Sequence, residues 1–397
     1  MTYRSSTRLF LYVVIALFAL GYVFRYFFVS YYISENIILP IEYQEWNNIN
    51  EGPLASAFLI CTTIFAVFVG LYAATTRKVA VQAPPYKPVS APGVIGIIAI
   101  VAVSLALRYI YGATLGQEAS TAGVVFGTLN YRMQADFIPA LILLFMELTW
   151  LAKQKRYYYF GMALLAVFFL TLSAITTSKA GMVFFLAQVV MLMYLTGQAV
   201  WKYPVRLTLA ALGGVLTFIV ASQLRAEALG IGDSAIWVSL QDGNIAETFL
   251  QVVGLIANRR PGVEGLALTC GHSCATLPTF QVPSLERGAI QIFTYDIVGI
   301  TWLADFRSPG LMAGAIILAG LYGGAAMVLA ALSLGKSATY QMDKRSFSSA
   351  ARAAFVFGML RFMMEGAWYW IDVVSMLAGV AAIEIIARAW RGKPRGN

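Results

Sequence analysis

Charge is scarce in this 397-residue chain: 12% of its residues are Asp, Glu, Lys or Arg, while 59% are hydrophobic. Soluble domains carry roughly 25% charge, so an ordinary soluble globule is excluded and a polytopic membrane protein is expected. Three cysteines exclude a disulfide framework, although Cys270 and Cys274 can pair if their loop faces an oxidising compartment. The only histidine, His272, lies between them. No P-loop, HExxH, GxSxG, CxxC pair or dinucleotide fingerprint occurs in the segments expected outside. Hydrolase, metalloprotease and nucleotide-dependent chemistry there has no support. The net charge of +9 is spread through short loops, which reads as topogenic charge rather than as a nucleic-acid-binding face.

Long apolar runs are what the chain has in quantity. Arg4 and Arg8 precede the first, Leu9 to Val29, which lacks a small-residue cleavage site and is expected to remain as a helix. Further spans are expected at Leu54 to Thr75, Gly93 to Tyr111, Asp136 to Leu151, Tyr158 to Ile175, Gly181 to Leu195 and Val205 to Ser222. After a long polar interval come Leu311 to Leu334, Ala351 to Met363 and Asp372 to Ala387. Lys and Arg concentrate at the N-terminus, in 76–92, at 153–156, at 202–206, between Lys336 and Arg352, and in the tail from Arg388. By the positive-inside rule these segments are cytoplasmic. The expectation is an all-α integral membrane protein of about ten transmembrane helices with both termini inside. Helices one to seven fill 1–222, a large, partly helical outer loop expected to hold the site fills 223–308, and the last three helices and a basic tail fill 309–397.

Ten of the 28 basic residues fall away from the cytoplasmic segments: Arg25, Arg108, Arg132, Lys179, Arg225, Arg259, Arg260, Arg287, Arg307 and Arg361. Bases kept outside against the topogenic trend mark a functional site, since a charge at membrane depth is costly. The competing reading is that some of them only pair with neighbouring carboxylates. Half of them lie from Arg225 to Arg307, among Glu227, Asp233, Asp242, Glu247, Glu264, Glu286, Asp296 and Asp305. A guanidinium fork suits the two-point capture of phosphate oxygens, where charge develops when a lipid-diphosphate sugar is transferred. With no nucleotide site outside, the energy must arrive in the substrate.

One outer loop between late helices, the turn Thr177-Ser178-Lys179-Ala180-Gly181, and Asn258-Arg259-Arg260-Pro261-Gly262-Val263-Glu264-Gly265 resemble the O-antigen (Wzy-type) polymerases and the related O-antigen ligases. In that family the first turn commonly carries Arg where Lys179 stands here, and the second carries an Arg followed closely by Gly and an acid, as Arg260, Gly262 and Glu264 do. The resemblance implies a membrane-embedded GT-C-type glycosyltransferase using an undecaprenyl-diphosphate-linked glycan, with no cofactor and no metal. The acceptor is a lipid-linked repeat unit in a polymerase and lipid A core in a ligase. A flippase and a chain-length regulator are the further partners expected, and nucleic acid is not.

The anion-binding candidates are Lys179, Arg225, Arg259, Arg260, Arg287 and Arg361. A base must lie within hydrogen-bond reach of the attacking hydroxyl. Glu264, which can share a helix face with Arg260, Asp296, which follows an aromatic-apolar run, and Glu365, four residues after Arg361, are the catalytic candidates. For Glu264 the alternative is a surface ion pair. His272 would serve a ligase, and it reads equally well as part of a small disulfide-closed turn. Trp368-Tyr369-Trp370 reads as an interfacial belt before a sugar-stacking platform. A transporter, which would show internal repeats and broken helices, and a structural subunit remain as alternatives; no internal repeat is found.

Overall fold

The computed structural model describes residues 2–34, 49–75, 81–82, 86–111, 137–176, 181–198, 208, 212–213, 215–216, 219–220, 222–223, 226–227, 233–245, 248, 262–273, 292–297, 309–366 and 370–391. It is helical almost throughout these residues. α1 (Ser6–Phe18) passes through a π-helical segment, Ala19–Phe24, into α2 (Arg25–Ser34). α3 (Glu51–Thr75), α4 (Ala91–Tyr111), α5 (Ile138–Leu151), α6 (Lys155–Thr176) and α7 (Gly181–Leu195) match the expected second to sixth spans to within a few residues. The expected seventh span and the turn at Lys179 fall largely or wholly outside the described residues.

Three helical stretches, Ser6–Tyr31, Glu51–Thr75 and Gly310–Lys344, are long and apolar enough to cross a membrane, and shorter apolar helices accompany them. Large apolar side chains point outward along several helices, among them Leu20, Leu59, Ile95 and Ile385, each about two-thirds exposed (65%, 68%, 67% and 68%). Arg25, Glu147, Glu264, Asp343, Arg352, Arg361 and Glu384 are meanwhile buried. Apolar outside and charge inside is the distribution that a hydrocarbon solvent imposes.

α11 (Ser349–Glu365) lies at the centre, packed against α1, α5, α7, α10 (Gly310–Lys344) and α12 (Trp370–Ala389). Small residues allow this: Ala350, Ala351 and Ala353 are fully buried, and a side chain at Gly358 would collide with Met376 of α12. Ser348 opens α11 by accepting from the Ala351 N–H, and Gly366, with φ 60°, closes it in the left-handed conformation.

The structure departs from the sequence expectation in two places. The eighth helix does not stop near Leu334 but runs to Lys344, so Lys336 and Lys344 ride on a helix rather than in a loop. It is broken at Gly320 (φ 69°, ψ −179°), a backbone conformation open to glycine, and beyond the break the Gly324 Cα lies so close to Ile316 that a Cβ would meet its backbone at 2.7 Å. The 76–92 segment is not only linker, since β2 (Val81–Gln82) pairs antiparallel with β1 (Thr2–Tyr3), a small exception to an all-α chain. The polar interval is partly helical, as expected, with α8 (Ala235–Gln241), α9 (Val263–Ser273) and a π-helical turn Ile292–Ile297; α9 packs against α3, α10 and α2 with Val263, Leu266 and Ala267 buried. The middle of the loop is therefore built into the helix bundle.

Four segments expected on the cytoplasmic side meet at one end, together with the last residue of α7. Tyr86 bridges to Arg391, the Lys87 N–H donates to the Trp390 carbonyl (3.1 Å), Val89 and Gln154 exchange two hydrogen bonds (3.0 Å each), and the Arg4 N–H donates to the Leu195 carbonyl (3.0 Å). The described ends of the chain, Thr2 and Arg391, lie there together.

Candidate functional site

Two groups of buried charges lie in the bundle. At the end that gathers the termini, three acids each seat a helix start or a loop. Asp343 of α10 accepts from Ser5 Oγ (2.7 Å), Ser6 N–H (3.0 Å) and Oγ (2.7 Å), and Thr7 N–H (3.2 Å) and Oγ1 (3.1 Å), placing a carboxylate on the free N–H groups of α1. Arg352 of α11 pairs with the same carboxylate at 3.0 Å and donates to the Arg4 carbonyl at 3.0 Å. Glu147 of α5 accepts the Ser349 and Ala350 N–H groups at 2.8 Å each and the Tyr3 hydroxyl at 2.5 Å. Burial first, then the Glu147 charge, push the Tyr3 phenol well above its ordinary range, so it stays a neutral donor. Glu384 of α12 accepts from Ser348 N–H (2.8 Å), Arg388 Nε (2.9 Å) and Arg391 Nη2 (2.8 Å). Every one of these acids is committed to capping, which makes this end a clamp on the bundle rather than a reaction centre.

The second group involves the long interval. Arg25, at the start of α2, forms an ion pair with Glu264, in the first turn of α9; their side chains are 6% and 0% exposed. The Gly262 N–H donates to Glu264 Oε1 at 3.2 Å, while Glu264 Oε2 finds no donor among the described residues. The approach depends on glycine at position 262: a Cβ there would fall on the Gly21 carbonyl oxygen in the π-helical segment of the first helix. The Arg260-Pro261-Gly262-Val263-Glu264 stretch thus joins the bundle through its last three residues.

The arrangement corrects one sequence expectation and refines another. Glu264 is not a surface residue; it is shut away from solvent and held by a permanent cation, a poor placement for a group that must reach a substrate proton. His272 sits in the final turn of α9. Cys270, on the same helix, is disulfide-bonded, and Cys61 is a free, buried thiol. Arg361 is buried (2% exposed) on α11, 5.5 Å from the centre of the Phe184 ring. Glu365 is the last residue of α11, and Asp296 lies in the turn Ile292–Ile297; their side chains are outside the described residues. So are Lys179, Arg225, Arg259, Arg260 and Arg287. Of the candidates, Glu264 and Arg361 are placed, both inside the bundle. Sequence reasoning singled out Arg25 as a base out of place; only the fold could reveal Glu264 as its partner.

Because a Cβ at Gly262 meets backbone rather than a movable side chain, Gly262→Ala is expected to unseat α9 and lower stability by about 1–3 kcal/mol, the usual range for overpacking. Thermal unfolding of the purified chain checks this; an unchanged midpoint would mean that the Gly21–Gly262 contact is not required.

Comparison with protein-family models, curated proteins and solved structures finds no match to the chain. The class defined by its fold and buried charges is a helical membrane protein with a loop helix built into its bundle.

Proposed function

We propose that the chain is an inner-membrane glycosyltransferase that polymerises undecaprenyl-diphosphate-linked oligosaccharide repeat units on the face away from its termini, in a ten-span, GT-C-like fold. The observation that carries the reading is the seating of Gly262 and Glu264 against Gly21 and Arg25. It ties the arginine-rich segment just before α9 to the bundle, where a diphosphate head at the membrane surface can be met by guanidinium groups. Arg225, Arg259, Arg260 and Arg287, with Lys179 and Arg361, take the diphosphates and the glycan. Glu264 acts as a positioning residue for Arg259 and Arg260, and the proton acceptor is Asp296 or Glu365. The disulfide at Cys270 supports placing the loop in an oxidising compartment, and the gathering of the basic loops at the other end supports cytoplasmic termini.

Holding donor and acceptor lipids on one surface makes a two-molecule transfer effectively unimolecular. Purified protein supplied with only undecaprenyl-diphosphate repeat units should therefore build a ladder of longer lipid-linked chains. Extension of lipid A core without a ladder would turn the reading to a ligase. A second reading, a lipid-linked glycan transporter, is favoured by the break at Gly320 and the π segment Ala19–Phe24, since discontinuous helices at membrane depth are characteristic of transport sites. Movement of labelled lipid across proteoliposomes with no new glycosidic bond is the result that reading expects.

A further inference from the structure

A cleft of about 390 Å³ opens between α3 and α10 near the end that gathers the termini. α3 contributes Phe68, Leu71, Tyr72 and Thr75. α10 contributes Ser333, Lys336, Ser337 and Tyr340. Each set follows the spacing i, i+3, i+4, i+7, so each is one face of its helix, an apolar-aromatic wall opposite a hydroxyl-and-ammonium wall. Tyr72 is fixed by donating its hydroxyl to the Thr7 carbonyl at 3.2 Å. Lys336 Nζ lies 4.7 Å from the centre of the Tyr72 ring, donates to the Tyr72 carbonyl at 3.1 Å and donates to Thr75 Oγ1. Both acceptors are neutral, one ammonium proton is left over, and no carboxylate among the described residues pairs with this cation. The contrast with Arg352, Arg388 and Arg391, each neutralised by an acid at the same end, sets Lys336 apart as a half-buried positive charge without a counter-ion among the described residues.

We infer that this cleft binds the phosphate of an anionic phospholipid in the leaflet on the side of the termini. A phosphodiester supplies the missing negative charge, and its oxygens can accept from Lys336 and from the hydroxyls of Ser333, Ser337 and Tyr340. The lipid source, rather than a free phosphate ion, follows from the flanks: Leu71 (48% exposed) and Leu334 (70% exposed) stand outward beside the mouth, where acyl chains would lie. The inference rests on the membrane setting alone and is independent of any glycosyl transfer.

The full-length protein in detergent is titrated with phosphatidylglycerol, phosphatidylcholine or inorganic phosphate and followed by native mass spectrometry. One phosphatidylglycerol is expected to be retained in preference to phosphatidylcholine. Lys336→Gln should weaken that binding about tenfold or more, the size of one lost charge-assisted hydrogen bond, while Lys336→Arg keeps most of it. Ser337→Glu, at an exposed position, should abolish it by placing a like charge in the cleft, and it decides the matter if Lys336→Gln does not fold. Equal retention of the two lipids, or wild-type binding in the folded variants, overturns the site. Displacement of the lipid by inorganic phosphate alone overturns the lipid assignment.

Discussion

Glu264→Ala should leave the protein about 3–5 kcal/mol less stable, because it removes the carboxylate paired with the Arg25 guanidinium in a place that is 5% exposed. Arg25→Ala should do the same from the other side. The double replacement Arg25→Met with Glu264→Leu is expected to recover most of the loss, since apolar side chains of similar volume often substitute for a buried ion pair at little cost. The cycle also separates two roles. If Glu264 positions the loop, the refolded double variant keeps measurable ladder formation; if it is the proton acceptor, that variant is stable and inactive. Recovery of stability with complete loss of turnover would assign the base to Glu264 and remove the positioning role given to it above.

The second large effect is on rate. Replacing Arg225, Arg259, Arg260 or Arg287 singly by Ala should lower turnover on the order of 10²–10³-fold while leaving insertion in the membrane intact, as expected when one donor to a developing diphosphate charge is removed. Lys in place of Arg should rescue poorly, because a point charge cannot reproduce a planar fork of donors. The measurement is single-turnover chain extension with purified variants. Four fully active alanine variants would end the diphosphate clamp, and wild-type rates in the lysine variants would reduce it to a simple need for positive charge.

The distribution of burial explains why these effects are expected at different places. At the termini's end, Glu147, Asp343 and Glu384 are saturated by helix N–H groups and by Tyr3, Arg352, Arg388 and Arg391, so their loss would be felt as unfolding. On the long-loop side, the Arg25–Glu264 pair leaves Oε2 of the acid without a donor among the described residues. A buried ion pair is an expensive way to hold two helices together, since both charges must be taken out of water.

Much of the fold could be read from hydropathy. A helix at membrane depth must satisfy its own backbone, so an apolar run of sufficient length has one solution, and α3 to α7, α11 and α12 lie within a few residues of the runs that announced them. The concentration of Lys and Arg in alternate loops likewise foretold which segments gather at one end. Tertiary structure decided the rest, because it depends on partners far apart in the chain. Nothing local to Asp343 announces that it caps the first helix, and nothing around Glu264 names Arg25. The π segment, the break at Gly320 and the seating of α9 in the bundle were equally hidden: a glycine in the sequence does not say whether it will take a positive φ, as Gly320 does, or meet another backbone, as Gly324 does at Ile316 and Gly262 at Gly21. Hydropathy is a property of single segments, whereas ion pairing and close backbone approach are properties of two, and only the assembled bundle brings the two together.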